Sequence, residues 1–159
     1  FNFLYIDLIF FFEVEVCLNE GKPVKGILGT DIPPNKNHPV KDIKSINSKD
    51  YNFLVLPGGV KSLEKVRQNK DIINFISKFH KEGKIIACIC SGAQLLISAK
   101  IVKGKKISGY YSMKDDIENA GAIYTDLPAV IDDKIVTTAH YKDLGPWMKA
   151  ALDLYYKEN

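Results

Sequence analysis

A short apolar run, Ile85-Ile86-Ala87-Cys88-Ile89, stops abruptly at Cys90-Ser91-Gly92, and a helix-forming segment, Ala93-Gln94-Leu95-Leu96, begins at once. Five consecutive apolar residues fit a strand buried on both faces, the environment of a central strand in a parallel sheet. A strand that turns directly into a helix at a nucleophilic side chain is the pattern of a nucleophile elbow, here carrying a thiol. This pattern points to an open α/β sheet and makes Cys90 the chemical centre of the chain. A thiol at a helix N-terminus faces unpaired backbone N–H groups and the positive end of the helix dipole, and both favour the reactive thiolate. Gly92 and Ala93 are small enough to let the helix start close to the sheet and to leave room for a substrate.

The neighbouring segments continue the alternation. Asn52 to Leu56 is a short apolar run stopped by Pro57-Gly58-Gly59. Ser62 to His80 carries Leu63, Val66, Ile72, Ile73, Ile76 and Phe79 at helical spacing, with Gly83 placed to end that helix. A short strand follows at Lys106 to Ser108, and a helix at Met113 to Ala120. Ala129 to Ile131 and Ile135 to Thr138 flank Asp132-Asp133 as a hairpin. Asp143 to Tyr156 reads as a terminal amphipathic helix with Trp147, Met148 and Ala151 on its apolar side. Helical crossovers of this length imply parallel strand pairing and an α/β sandwich. Ligands of such sheets bind beyond the carboxyl ends of the strands. Both Pro57-Gly58-Gly59 and Cys90-Ser91-Gly92 fall at such ends. If the two strands are neighbours, the Gly59 and Ser91 amides face the thiol and form an oxyanion hole.

Composition narrows the remaining classes. A length of 159 residues, 46% hydrophobic and 26% charged, suits one soluble domain over 1–159. The net charge is +3 and the lysines are scattered, which gives no case for a nucleic-acid partner. Three cysteines, two of them in one strand, are not a disulfide framework and suit a reducing, cytoplasmic compartment. Cys88 and Cys90 have no further ligands nearby in sequence, so no metal and no cofactor is expected. The run Phe1 to Phe12 is interrupted by Asn2 and Asp7. It is shorter than the roughly 20 apolar residues of a membrane span and lacks the marks of a signal peptide, so it reads as a buried helix or strand. Glu13 to Cys17 reads as a strand with Cys17 in the core, and Ile32 to Pro39 as a loop too short to separate domains.

Several segments together resemble the ThiJ/PfpI family, a branch of the class I glutamine-amidotransferase-like superfamily. They are Leu54-Val55-Leu56-Pro57-Gly58-Gly59, Ile89-Cys90-Ser91-Gly92, Leu95 to Lys106, Lys114 to Ala122 and Val136-Thr137-Thr138, in family order from about Asp50 onward. The resemblance implies a flavodoxin-like three-layer sandwich with a mostly parallel central sheet, a homodimer or higher homo-oligomer, and a reactive cysteine at Cys90. The activities it implies include cysteine peptidase, glyoxalase or deglycase, and stress-response roles. Three positions depart from the family pattern. Ser91 stands where the peptidase branch has histidine. The glutamate turn that follows the family's first strand lies upstream of Phe1 or is absent. Lys70 occupies the place of a glutamate that the peptidase branch supplies to a neighbouring subunit. Peptidase activity is therefore not expected.

The candidate site comprises Cys90 and His140 as catalytic residues and Gly58, Gly59, Ser91 and Gly92 as oxyanion and pocket residues. His140 follows the strand Ile135 to Thr138 and is the available general acid or base; a surface loop histidine is the alternative. Ser91 suits an oxyanion amide and a helix cap alike. Cys88 reads as core, His80 as a helix-end residue, and Asp115 and Asp116 as helix N-terminal charges rather than a catalytic pair. Tyr110 and Tyr111 line the pocket or pack beside it. Two functions follow. One is a cysteine-dependent hydrolase or glyoxalase/deglycase-type enzyme for a small carbonyl or acyl substrate. The other is a non-catalytic redox-sensing or stress-response protein using the same thiol.

Overall fold

The computed structural model describes residues 13–17, 24–25, 31–32 and 41–158. They fall into two compact units, 1–47 and 48–159. The first unit holds an antiparallel pair, β1 (Val24–Lys25) and β2 (Asp31–Ile32). It also holds a single parallel bridge from Cys17 to Lys41, where the Lys41 N–H donates to the Val16 carbonyl at 3.0 Å. Cys17 is exposed, which corrects its assignment to the core. Among the described residues its segment makes one bridge rather than a ladder. The expectations for Phe1 to Phe12, for Pro33 to Pro39 and for His38 lie outside the described residues.

The second unit runs β3 (Phe53–Leu56), α1 (Val60–Val66), α2 (Lys70–Lys81), β4 (Ile85–Ile89), α3 (Ala93–Ser98), β5 (Lys106–Ile107), α4 (Lys114–Asn119), β6 (Ile123–Tyr124), β7 (Val130–Asp132), β8 (Ile135–Thr138) and α5 (Leu144–Glu158). Its main sheet has the order β3-β4-β8-β7. β3/β4 and β4/β8 are parallel, and β7/β8 is the antiparallel hairpin. β5 and β6 form a separate parallel pair. That pair is tied to the sheet by the Ser108 N–H to Thr137 Oγ1 bond at 2.8 Å and the Lys106 N–H to Asp132 Oδ2 bond at 2.8 Å.

All five residues of β4 are buried, as an apolar run without alternation requires. Its two faces serve two layers. Ile86 and Cys88 pack in one core with Ile76 and Phe79 of α2 and Leu95 and Leu96 of α3. On α5, Trp147 and Ala151 are fully buried, and the Trp147 indole N–H donates to the Val136 carbonyl at 3.0 Å. Phe53 meets Tyr155 of α5 edge-on at 6.3 Å. Helices cover both faces of a mostly parallel sheet, so the fold is flavodoxin-like α/β.

Two local readings change. The segment from Ser62 to His80 is two helices rather than one. Asn69 is extended, and its side-chain oxygen accepts from the Asp71 and Ile72 N–H groups, so it caps a new helix at Lys70. The apolar spacing carries across the break, which hides it from periodicity. The strand β6 was not anticipated; two residues are too few to show a period.

Candidate active site

The elbow is built by a sharp change of backbone. Ile89 is extended at φ −128°, and Cys90 lies in the left-handed region at φ +61°. A non-glycine residue is strained there and holds the conformation only where its surroundings fix it. Cys90–Gly92 forms a single 3-10 turn that leads into α3.

Three glycines leave the space the elbow occupies. A Cβ on Gly58 would lie 2.7 Å from Cys90 Cβ and 3.2 Å from its Sγ. A Cβ on Gly92 would lie 2.9 Å from Cys88 Sγ and 2.9 Å from the Leu56 carbonyl oxygen. A Cβ on Gly109 would lie 2.8 Å from Ile117 Cδ1 and 3.1 Å from Ala93 Cβ. The Pro57-Gly58-Gly59 turn therefore stands against the thiol, as the sequence pattern anticipates. Gly109 was missed, because nothing in a lone glycine after a short strand announces a close approach.

Ser91 is buried, and its hydroxyl oxygen accepts a hydrogen bond from the Gly59 N–H at 3.0 Å. This bond fastens the glycine turn to the elbow. It also changes one expectation: the Gly59 amide is engaged by Ser91 rather than free to face an oxyanion. The Ser91 and Gly92 amides lie in the opening turn of a helix, where backbone donors lack intrahelical acceptors.

β4 and β8 are neighbours in register, with Ile89 opposite Thr138. Cys90 and His140 thus leave the carboxyl ends of adjacent parallel strands. His140 is half-buried, and its Nδ1 accepts from the Lys142 N–H at 3.2 Å. Among the described residues no hydrogen bond joins Cys90 Sγ to His140. Aromatic rings border the region between them. The Tyr110 N–H donates to the Cys90 carbonyl at 3.2 Å. Tyr110 contacts Tyr111 at 5.4 Å, Tyr111 stacks toward His140 at 6.4 Å, and His140 lies 4.0 Å from Tyr141. The stacking of Tyr111 against His140 was not legible, since it depends on two distant turns meeting.

Cys88 is fully buried, and burial pushes its thiol well above the ordinary range, with Cys90 adding to the shift. It is a core residue, as expected. Asp115 and Asp116 lie in the first turn of α4. Lys70 opens α2. Among the described residues no three His, Cys, Asp or Glu side chains gather as metal ligands, and no helix is long and apolar enough to cross a membrane.

A thiol held at positive φ on a strand-to-helix turn, at the carboxyl edge of a parallel sheet, defines the class of cysteine-elbow α/β proteins. The chain belongs to the DJ-1/PfpI family, which it matches over residues 11–154. It is 39% identical over 109 residues to Deglycase PfpI of Pyrococcus furiosus, a match covering 69% of this chain and 65% of that protein. It is 35% identical over 140 residues to General stress protein 18 of Bacillus subtilis, covering 87% of this chain and 78% of that protein. The ThiJ/PfpI domain protein of Brachyspira murdochii shares the fold at a TM-score of 0.82 and 16% identity, over 96% of this chain and 85% of that one.

Proposed function

We infer that the protein is a deglycase- or hydrolase-type enzyme whose nucleophile is Cys90 and whose substrate is a small molecule with an electrophilic carbonyl or acyl carbon. The carrying observation is the strained elbow: Cys90 at φ +61° with Gly58 directly against its side chain. The deglycase names of relatives such as the Pyrococcus protein support the reaction class. In this reading the Cys90 thiolate attacks the carbonyl carbon, and the C=O π electrons move to oxygen. The Ser91 and Gly92 amides hold that oxyanion. Gly58 leaves the space that the Cys90 side chain occupies, and Gly59 holds Ser91 in place.

His140 acts as a hydrogen-bond donor. Its Nδ1 is an acceptor toward the Lys142 N–H, which puts the neutral ring's proton on Nε2. That tautomer offers its Nε2–H as a hydrogen bond that stabilises the adduct oxyanion; as a base, the ring would have to carry its proton on Nδ1, against the Lys142 N–H. A homodimer or higher homo-oligomer, and a single domain over 1–159, are part of the same reading.

The test is turnover of glyoxal-type substrates and small amides by Cys90→Ala and His140→Gln. Cys90→Ala is expected to abolish turnover while folding normally by circular dichroism, and unchanged turnover would sink the assignment. A second reading, a redox-sensing stress protein, is favoured by one observation: among the described residues, no hydrogen bond reaches Cys90 Sγ from a proton-transfer partner. It predicts selective peroxide oxidation of Cys90 without turnover of any such substrate. Equal oxidation of all three cysteines in the folded protein would count against it.

A further inference from the structure

The edge of the sheet opposite Cys90 carries a second cluster. α3 leads away from the elbow for six residues, about 9 Å of helix, and ends at Ser98, two residues before Lys100. α2 ends at Lys81 just before β4 enters the sheet. Between these ends lies a cleft of about 460 Å³ whose polar lining is Ser77, His80, Lys81, Lys100, Lys103 and Lys105. Among the described residues no carboxylate lines it. Lys105 is partly neutralised, pairing with Asp133 at 3.2 Å and Asp132 at 3.8 Å. Lys81, Lys100 and Lys103 form no ion pair among the described residues. His80 Nδ1 is buried with no hydrogen-bond partner there either.

The positive charge is not explained by helix ends alone. Lysine in a last helical turn offsets the dipole, which accounts for Lys81. Lys103 and Lys105 come from the turn beyond α3, and the Lys103 stem is set against Gly121, where a Cβ would lie 3.3 Å from Lys103 Cγ. Lys100 is the sharper case. It sits at φ +58° just past the end of α3. Glycine or asparagine adopts that position at little cost, and lysine does not. A strained residue is kept where its side chain is needed.

We propose that this cleft binds a compact anion of the phosphate class, free or carried on a small molecule, through the ammonium groups of Lys81, Lys100 and Lys103 and the polar groups of Ser77 and His80. Burial, and then the charge of Lys105, hold the His80 imidazole below its ordinary range, against an opposing effect of Asp133. A bound anion offsets that positive field, so His80 ring resonances report occupancy. The site is independent of the Cys90 reaction.

The experiment titrates pyrophosphate, and separately ribose 5-phosphate, into the full chain at neutral pH and matched ionic strength, reading the His80 ring signals by NMR. A saturable shift that sodium chloride does not reproduce is expected. Tighter binding of pyrophosphate assigns the free inorganic anion, and tighter binding of ribose 5-phosphate assigns a phosphorylated small molecule. Lys100→Gly is expected to raise Tm by relieving the backbone while weakening binding about fivefold, the worth of one solvated charge pair near 4 Å. Lys103→Gln is expected to weaken it similarly, and Lys114→Gln, outside the cleft, to leave it unchanged. No saturable shift with either anion, or wild-type affinity in both Lys100→Gly and Lys103→Gln, overturns the proposal.

Discussion

Replacing Gly58 by alanine puts a methyl carbon 2.7 Å from Cys90 Cβ, 3.2 Å from its Sγ and 3.4 Å from the Ile89 carbonyl oxygen. Carbon atoms in good contact stand roughly 3.5–4.0 Å apart, so the new methyl must gain about 1 Å. No flexible side-chain tip is available to yield it. Cys90 Cβ is fixed by its own backbone at φ +61°, and the turn bearing Gly58 is fastened through the Gly59 N–H to Ser91. Either the elbow or the Pro57-Gly58-Gly59 turn must shift. Overpacking of this kind costs about 1–3 kcal/mol, which lowers Tm by about 2–12 °C for a chain of this size. A displacement of about 1 Å at a reacting atom costs on the order of 100-fold in rate. The assay pairs thermal unfolding with iodoacetamide labelling of Cys90, followed by peptide mass spectrometry. Gly145→Ala is the control: a Cβ there meets nothing within 4 Å, and the residue lies in α5. It is expected to be neutral or stabilising by up to about 1 kcal/mol. A Gly58→Ala protein with wild-type Tm and wild-type Cys90 labelling would refute the reasoning that Gly58 is required by the elbow.

The layer on the other face of the sheet is tested at Trp147. It is fully buried with its indole N–H on the Val136 carbonyl, so Trp147→Ala is expected to cost about 3–5 kcal/mol, read from the urea midpoint; a loss under 1 kcal/mol by the same scale would contradict the packing described. The Glu82 carboxyl is held below the usual range, first by the Ser48 hydroxyl at 2.8 Å and then by Lys84. The unfolded chain therefore binds more protons in the acid range. Glu82 stabilises the fold fully above about pH 4.3, the ordinary glutamate value, and the contribution fades as pH falls through the lower folded value. The Tm difference between wild type and Glu82→Gln should accordingly shrink on acidification, and a difference independent of pH would contradict this.

What the sequence made legible follows from how local each signal is. The elbow, the central strand and the β7/β8 hairpin could be read because each is announced by a contiguous run and its stop. The apposition of Gly58 with Cys90 was readable as a conditional: it needed β3 and β4 to be neighbours, and the register places Leu56 opposite Cys88. The Gly59–Ser91 bond was not readable, because it depends on which way one hydroxyl turns inside a buried site. The same holds for His140. Its place at a strand end was visible, but its Nδ1 contact with the Lys142 N–H, which bears on the ring's tautomer, is set by the turn after β8. Asn69 is the instructive miss, since an Asn before a run of helix formers is an N-cap signal. The apolar spacing runs on across that cap and masks it.

Among the described residues three non-glycine residues hold positive φ: Cys90, Lys100 and Asp133. Asp133 needs no special reason, because a two-residue hairpin turn calls for such angles and aspartate tolerates them. Cys90 is explained by the elbow, where the strain turns a side chain out at the end of a strand. Lys100 has neither excuse. The helix it follows could end on glycine at lower energy, and the fold would gain by it. A residue that costs stability and serves no packing role is expected where its charge does the work. The sheet thus has two unequal ends. The carboxyl end holds its strained residue at a thiol, and the amino end holds one at an ammonium group in a cleft whose described charged residues are all cations. If Lys100→Gly stabilises the protein without loss of anion binding, that reading of the backbone is wrong, and the lysine is an accident of sequence rather than part of a site.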